Sequence, residues 1–337
     1  MEHKQVKGRA IKVLGSNDTL GGGGIFRRRL SFYFTSKNLF GIIYYMKVAN
    51  GWHDYKILAT SEGMKLEDWK GVILLRPDPQ VIWKGKNLYD CAYNAVYRRS
   101  EKGGGAWEIK KQFPGEWTVS YDDMTFKVKP MGFKHTGLFP EQAVNWEECR
   151  RLISLAKSQN PDREIKVLNL FAYTGAASVA CTKAGALVTH VDAAKGMVER
   201  AGENARLSGI NGGIRYIIDD CMKFVAREIR RGNKYDGIIM DPPSYGRGPG
   251  GEMWKIEQNL FDFVLNCAQL LSDKPVFFLI NSYTTGLQPA VLKNILTLAL
   301  KNFKGKADAY EVGIATEEGI PLPCGASGLF TGEDYAG

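Results

Sequence analysis

Ile165-Lys166-Val167-Leu168-Asn169-Leu170-Phe171-Ala172-Tyr173-Thr174-Gly175-Ala176 reads as an apolar strand that runs into a turn of small residues and then a helix. Working outward from it, the same sentence of sequence recurs. Leu187-Val188-Thr189-His190-Val191 ends on Asp192, seventeen residues after Gly175. Ile214-Arg215-Tyr216-Ile217-Ile218 ends on Asp219-Asp220, and Gly237-Ile238-Ile239-Met240 ends on Asp241-Pro242-Pro243. Each polar group closes an apolar strand, and open α/β sheets bind their ligands at the carboxyl ends of such strands.

The chemistry of these positions narrows the ligand. In the turn Phe171, Tyr173, Thr174 and Gly175 would face it, and Gly175 has no Cβ to block a close approach. Amides at the start of the next helix can meet a carboxylate. The turn holds one glycine, so the dinucleotide pattern G-x-G-x-x-G is absent. Asp192 stands one β-α-β step on, where an acid accepts hydrogens from both ribose hydroxyls, a feature that also suits a nicotinamide cofactor. Asp220 is placed to accept from an adenine amino group, with the backbone of Cys221 at the ring edge. Taken singly, each acid reads better as a strand end or a helix cap. Four in register point to S-adenosylmethionine (SAM), and so to methyl transfer.

Asp241-Pro242-Pro243 is the most specific of the four. Two prolines remove two backbone donors and stiffen the turn. The carbonyls around them then serve as acceptors that would orient an amino or ring nitrogen, and Tyr245 offers a face on which a base can stack. Asp241, Pro242, Pro243 and Tyr245 are therefore the expected catalytic group, with Asp241 also touching the cofactor. The plain alternative is a rigid strand-to-loop turn.

These motifs closely resemble the class I methyltransferases of large-subunit ribosomal RNA, in particular the methyltransferase I family (cytosine C5) and the domain that makes 7-methylguanosine. The resemblance is strong from Val167 to Gly246 and extends to His135-Thr136-Gly137-Leu138-Phe139-Pro140-Glu141-Gln142, which is similar to the Gly-Phe-Phe-Leu-Asp-Gln segment of those enzymes. It implies that Phe139 and Gln142 lie against SAM, that the fold is a Rossmann-like sheet of seven mostly parallel strands, and that the substrate is RNA, ribosomal RNA above all.

Length and composition set the outer bounds. The 337 residues suit one large or two medium domains, and no apolar run approaches the about 18 residues of a membrane span. Six cysteines lack any C-x-x-C pair and four histidines lie far apart, so the expectation is a metal-free cytoplasmic protein without a disulfide scaffold. Net charge is +9, but eight basic residues against Glu2 and Asp18 place +6 of it in the first 45 residues. Bulk charge therefore says little about the catalytic unit.

Residues 1–45, with Gly21 to Gly24 and Arg27 to Arg29, read as a basic, disordered extension. From 46 to 130 the pattern is that of a small β-rich accessory domain, with strands at Tyr55–Leu58, Val72–Leu75, Val81–Trp83, Trp117–Ser120 and Thr125–Val128, and a helix over Asp90–Arg99. Within it Lys84, Lys86, Arg98, Arg99, Lys102, Lys110 and Lys111 alternate with Tyr89, Tyr93, Tyr97 and Trp107, which suits phosphate contact and base stacking as well as it suits a solvated face over an aromatic core. Residues 131–337 form the SAM-dependent domain.

The target atom follows from what is missing. Carbon 5 of a pyrimidine is a poor nucleophile, so enzymes acting there first add a Cys thiolate to carbon 6. In the resembling families that Cys follows the Pro-Pro turn or ends strand five, where this chain has Ser244 and Asn281-Ser282-Tyr283. A nitrogen acceptor needs only alignment and an available lone pair. The expectation is a base-nitrogen methyltransferase of ribosomal RNA. The alternatives are a cytosine-C5 enzyme, a small-molecule or protein-amine methyltransferase, and a catalytically silent RNA-binding protein.

Overall fold

The computed structural model describes residues 46–100, 104–247 and 253–336. The basic extension over residues 1–45 lies outside the described residues.

Strand β1 (Met46–Ala49) is followed by five strands that form a sheet of their own, in chain order: β2 (Tyr55–Ser61), β3 (Met64–Trp69), β4 (Val72–Pro77), β5 (Ala95–Arg99) and β6 (Gly105–Ile109). Two tight hairpins build its first half. Glu62-Gly63 and Lys70-Gly71 all have positive φ, the geometry of the two-residue turn whose twist matches its flanking strands. Strand β3 is not legible as an alternating segment, because its inward position is Glu67, which is fully buried. Its carboxylate accepts from the Tyr55 hydroxyl at 2.7 Å and from the Arg76 guanidinium, with the Lys65 ammonium at 3.6 Å. Burial alone would raise this carboxyl, but Arg76 and Lys65 hold it down to about 2.

Two expectations fail in this region. Asp90–Arg99 is not a helix: one 3₁₀ turn, Leu88–Asp90, is capped by Asn87, and the chain then extends as β5, parallel to β4. Ala95, Val96 and Tyr97 are all buried, and a β-branched and an aromatic side chain there fit a pleated surface better than a helix. Val81–Trp83 is not a strand. It crosses the β2–β3 turn, bonded through Glu62 N to Trp83 O and Gly63 N to Val81 O.

After the hairpin β7 (Trp117–Tyr121) and β8 (Met124–Val128) the catalytic sheet is laid down. Its elements are α1 (Ala143–Gln159), β9 (Ile165–Leu170), α2 (Ala176–Lys183), β10 (Ala186–Asp192), α3 (Lys195–Leu207), β11 (Ile214–Ile218), α4 (Cys221–Arg231) and β12 (Gly237–Met240). A small hairpin, β13 (Tyr245–Arg247) with β14 (Met253–Lys255), precedes α5 (Ile256–Ala268), β15 (Phe277–Ser282), α6 (Pro289–Ala299), β16 (Gly305–Ile314) and β17 (Leu322–Gly332). The order is β1-β16-β17-β15-β12-β9-β10-β11. Only β17 runs antiparallel to its neighbours. This is the expected mostly parallel Rossmann-like sheet, with β1 as an eighth strand.

Neighbouring residues of each strand serve opposite faces. Val167, Ile239 and Leu279 join one core while Leu168, Ile238 and Ile280 join the other, which is why these strands read as unbroken apolar runs. The first core continues without a break into Trp52, Tyr55, Trp69, Val119 and Phe126 of the 46–130 region. Strand order reverses between β9 and β12, and that switch point fixes where the ligand crevice opens.

Candidate functional site

The turn after β9 is held in an unusual shape. Phe171 and Tyr173 have φ of 54° and 49°, and Gly175 has φ of 82°. A left-handed backbone costs a non-glycine residue on the order of 1–3 kcal/mol and persists only when its surroundings fix it. Here they do. Phe171 N–H donates to Cys221 Sγ (3.2 Å), Ala172 N–H to Val191 O (3.0 Å) and Tyr173 N–H to Asp192 Oδ2 (2.8 Å). Thr174 Oγ1 donates to Gly137 O (2.7 Å), and Asn204 Nδ2 donates to Thr174 O (2.8 Å). Gly175 is required for a reason the sequence does not reveal: a Cβ there would stand 2.7 Å from that of Ala201, so α3 packs directly on the turn.

The acids sit where the strands end, with more structural work than expected. Asp192 accepts from Tyr173 N–H with one oxygen and from Ala194 N–H (2.8 Å) with the other, which leaves each oxygen a second lone pair for a ribose hydroxyl. Asp220 is the N-cap of α4, its Oδ1 accepting from Lys223 N–H at 2.9 Å. The helix-capping role is therefore real, and Oδ2 is the oxygen left to face a ligand. Cys221 is buried, and its thiol is pushed up by that burial, so its part is to receive the Phe171 amide.

Across the switch point, Asp241 is half-buried and its carboxyl is raised to about 6, first by desolvation and further by Glu141, against the pull of an Asn281 hydrogen bond. Asn281 Nδ2 donates to Asp241 Oδ1 (3.0 Å), and Ser327 Oγ donates to Asn281 Oδ1 (3.0 Å). Asn145 Nδ2 donates to Ser327 Oγ (2.9 Å) and to Gln142 Oε1 (2.8 Å), and Gln142 Nε2 donates to the Tyr283 hydroxyl (2.8 Å). Tyr283 in turn donates to Glu141 Oε1 (2.9 Å). Sequence reasoning missed Asn145, Glu141 and Ser327. Their one signal was polarity at positions where helical or strand spacing places the core.

Phe139, Gln142, Phe171, Tyr173, Thr174, Gly175 and Asp241 are brought together around one cavity of about 70 Å³. Phe139 packs its ring against Tyr173 (5.6 Å between centroids) and Tyr283 (5.5 Å). Ligand pockets of small molecules run to about 300–1,000 Å³, so this cavity is too small to enclose a whole SAM. Asp192, Asp220 and Cys221 line no part of it. Pro243 O accepts from the Trp254 indole N–H at 2.6 Å, so of the carbonyls around the Pro-Pro turn it is one already engaged within the fold. Tyr245 stands on the β13–β14 hairpin, 51% exposed, outside the closed cavity. The sequence Gly246-Arg247-Gly248-Pro249-Gly250-Gly251 reads as a flexible loop, but Gly246 and Arg247 belong to β13; residues 248–252 and the Arg247 side chain lie outside the described residues.

A strained, fully fastened turn on a cavity wall, the start of α2 without a side-chain cap behind it and an acid at the end of the next strand fit SAM. Among the described residues no group of three or more His, Cys, Asp or Glu side chains is placed to hold a metal, and no helix is long and apolar enough to cross a membrane.

Fold and site together define a class I SAM-binding methyltransferase. Residues 96–271 match the S-adenosylmethionine-dependent methyltransferase family, and the chain belongs to it. It is similar to the crystal structure of the SAM-dependent methyltransferase from Agrobacterium tumefaciens, with 31% identity and a TM-score of 0.77 over 89% of this chain and 99% of that one. Among curated proteins it is similar to the ribosomal RNA large subunit methyltransferases K/L of Pseudoalteromonas atlantica (30% identical over 52% of this chain and 23% of that protein) and Allochromatium vinosum (34% over 44% and 19%). The chain thus spans less than a quarter of the length of these relatives. They are named K/L, not the I family that the sequence had suggested beside the 7-methylguanosine domain.

Proposed function

We propose that this SAM-dependent methyltransferase transfers the methyl group to a base nitrogen of RNA, with ribosomal RNA, the substrate named for its K/L relatives, as the target. The observation that carries the reading is the Asp241 carboxylate on the cavity wall with no reactive thiol to accompany it. SAM supplies an electrophilic methyl. The Asp241 side chain and the carbonyls of Asp241 and Pro242 hold the acceptor's N–H groups so that its lone pair faces that methyl, and positioning of this kind supplies much of the acceleration. The remaining cysteine near the cleft, Cys324, is half-buried, and burial pushes its thiol far above the range of a nucleophile.

In this reading Asp192 holds the ribose, Asp220 and the Cys221 amide the adenine, and Phe139, Gln142 and the Phe171–Gly175 turn the methionine end. Tyr245 stacks the incoming base at the mouth. Residues 46–130 act as an accessory domain to a catalytic domain over 131–337. Its basic-aromatic stretch contributes in part: Tyr89 is 45% exposed with Arg98 over its ring, but Tyr97 and Trp107 pack against each other and serve the fold. Six free thiols agree with a cytoplasmic setting.

The test is methyl-labelled SAM with ribosomal RNA from a strain lacking the gene, followed by nucleoside mass spectrometry. Label in a base nitrogen is expected. Label at cytosine C5, together with a covalent adduct to RNA containing 5-fluorocytidine, would restore the thiolate mechanism. Label only in proteins or small amines, or none with tight RNA binding, would remove RNA as the methyl acceptor.

A further inference from the structure

Phe133 is 66% exposed, and no described aromatic ring packs against it. An exposed apolar residue is ordinary by itself. The mounting of this one is not. It sits at the tip of a loop closed by two backbone bonds, Lys129 N–H to Thr136 O and Met131 N–H to His135 O, both 3.0 Å. The accessory sheet braces the loop on either side of the tip. The Trp107 indole of β6 donates to Met131 O (2.8 Å), and the Arg76 guanidinium of β4 donates to Lys134 O (2.9 Å). The loop also touches the wall of the cofactor cavity. The Tyr173 hydroxyl meets Met131 Sδ (3.4 Å), and His135 packs its ring on Phe139 (5.2 Å). Tyr173 and Phe139 line that cavity, whereas Phe133 does not. An apolar ring is thus held in water two residues along the chain from each of these contacts, on a loop that both regions of the molecule fix in place.

The loop stands in a positive field. Burial, with Arg76, Lys134 and Lys65 adding to it, holds the His135 imidazole down to about 4, so the ring is neutral. Lys134, next to Phe133 in the chain, feels Lys65, Arg76 and Arg99, with Asp78 as the counter-charge. Arg99 is itself exposed and pairs with no described acid. We infer that Phe133 is a stacking post for single-stranded RNA: a base next to the acceptor nucleotide packs on its ring, and Arg99 meets a phosphate of the same strand. Aromatic faces set among cations hold single strands in this way, the ring taking the base and the charge taking the backbone. Phe133 stands outside the cavity, so the base that meets it is a neighbour of the one that is methylated. A ring already fixed in place loses little freedom on binding, which gives the accessory sheet a task in substrate docking. An apolar patch on a second protein would have no use for the cations.

The inference rests on the RNA reading above, and its test separates the two. The RNA segment around the labelled nucleotide is synthesised with 2-aminopurine at each neighbouring position in turn and bound to the full chain with S-adenosylhomocysteine present. With wild type, fluorescence at one of these positions should be quenched as its base stacks. Phe133→Ala and Phe133→Leu should abolish that quenching and weaken RNA affinity by about tenfold. Phe133→Tyr should keep both, and all three variants should keep wild-type affinity for S-adenosylhomocysteine. Arg99→Ala should lower the slope of log affinity against log salt by about 0.7. Wild-type RNA affinity in Phe133→Ala, or Phe133→Leu binding and quenching as wild type does, would each overturn this role and leave RNA methylation standing. Altered self-association in Phe133→Ala with RNA affinity unchanged would assign the ring to a second copy of the chain instead. Absence of label from all RNA would sink both readings.

Discussion

At the residue scale, Asp241 shows how a site works against the fold that holds it. Its carboxyl titrates near 6 in the folded chain against 3.8 as the ordinary value, because burial disfavours the charge. The folded state therefore binds the proton more tightly than the unfolded one. Any stability linked to it is complete below about pH 4, declines as pH rises toward 6 and is gone above that, a loss of up to about 3 kcal/mol. Asp241→Asn removes the charge and keeps an oxygen for Asn281. At pH 8 this variant should melt higher than wild type by the equivalent of about 1–3 kcal/mol, with the gap closing toward pH 4, and methyl transfer should be lost. Melting curves across that range decide it: a variant less stable than wild type at pH 8 would show that the burial cost is not there. The Asp itself was legible from its position after an apolar strand. Its elevated titration was not, since that depends first on how deeply the folded chain buries the carboxyl, with Glu141 adding to it from a hundred residues away.

At the scale of the element, the strand-turn-helix of β9 and α2 was the most legible part of the molecule, and the reason lies in its constraints. Two left-handed non-glycine residues, a packed glycine and five anchoring hydrogen bonds leave few sequences able to take that shape. Asp192 and Asp220 end their strands as expected, and each has a structural task in its own element that sequence spacing did not reveal. Asp192→Ala should weaken SAM binding by about 1–3 kcal/mol, both from unpaired ribose hydroxyls and from a loosened Tyr173 turn. Asp220→Ala should weaken it less and lower stability by about 1 kcal/mol through the lost cap of α4. Titration calorimetry beside denaturant unfolding separates the two effects. Unchanged SAM affinity in both variants would remove the site assignment. Strand β3 failed to appear in the sequence for the opposite reason. Its buried Glu67 obeys the pairing of charges rather than the alternation of apolar residues, and Arg76 is nine positions further along.

At the scale of the whole molecule, the mostly parallel character of the large sheet could be read ahead, but its eighth strand and the seam between the two regions could not. Trp146 of α1 is the centre of that seam, within ring contact of Trp52, Tyr121 and Phe126 (6.2, 5.9 and 5.4 Å). Nothing in local spacing says that an amphipathic helix will find its partners in a distant β-rich stretch. A fragment over residues 131–337 should therefore expose this face, bind a hydrophobic dye and lack a sharp unfolding transition, whereas the full chain melts cooperatively. A fragment that melts as sharply as the full chain would show that the shared core is dispensable. Strand β1 adds a mechanical consequence. It lies in the catalytic sheet, parallel to β16, yet it precedes the accessory sheet in the chain, and the polypeptide returns to the catalytic sheet at β9. The accessory sheet is thus clamped at both its ends, and it is bolted along its flank where Glu318 accepts from Thr60 N–H and Oγ1–H. A part mounted at two points behaves as a buttress, not a flap. Hydrogen exchange should then run slower in β2 through β4 than in the short two-stranded β13–β14 hairpin that follows the Pro-Pro turn.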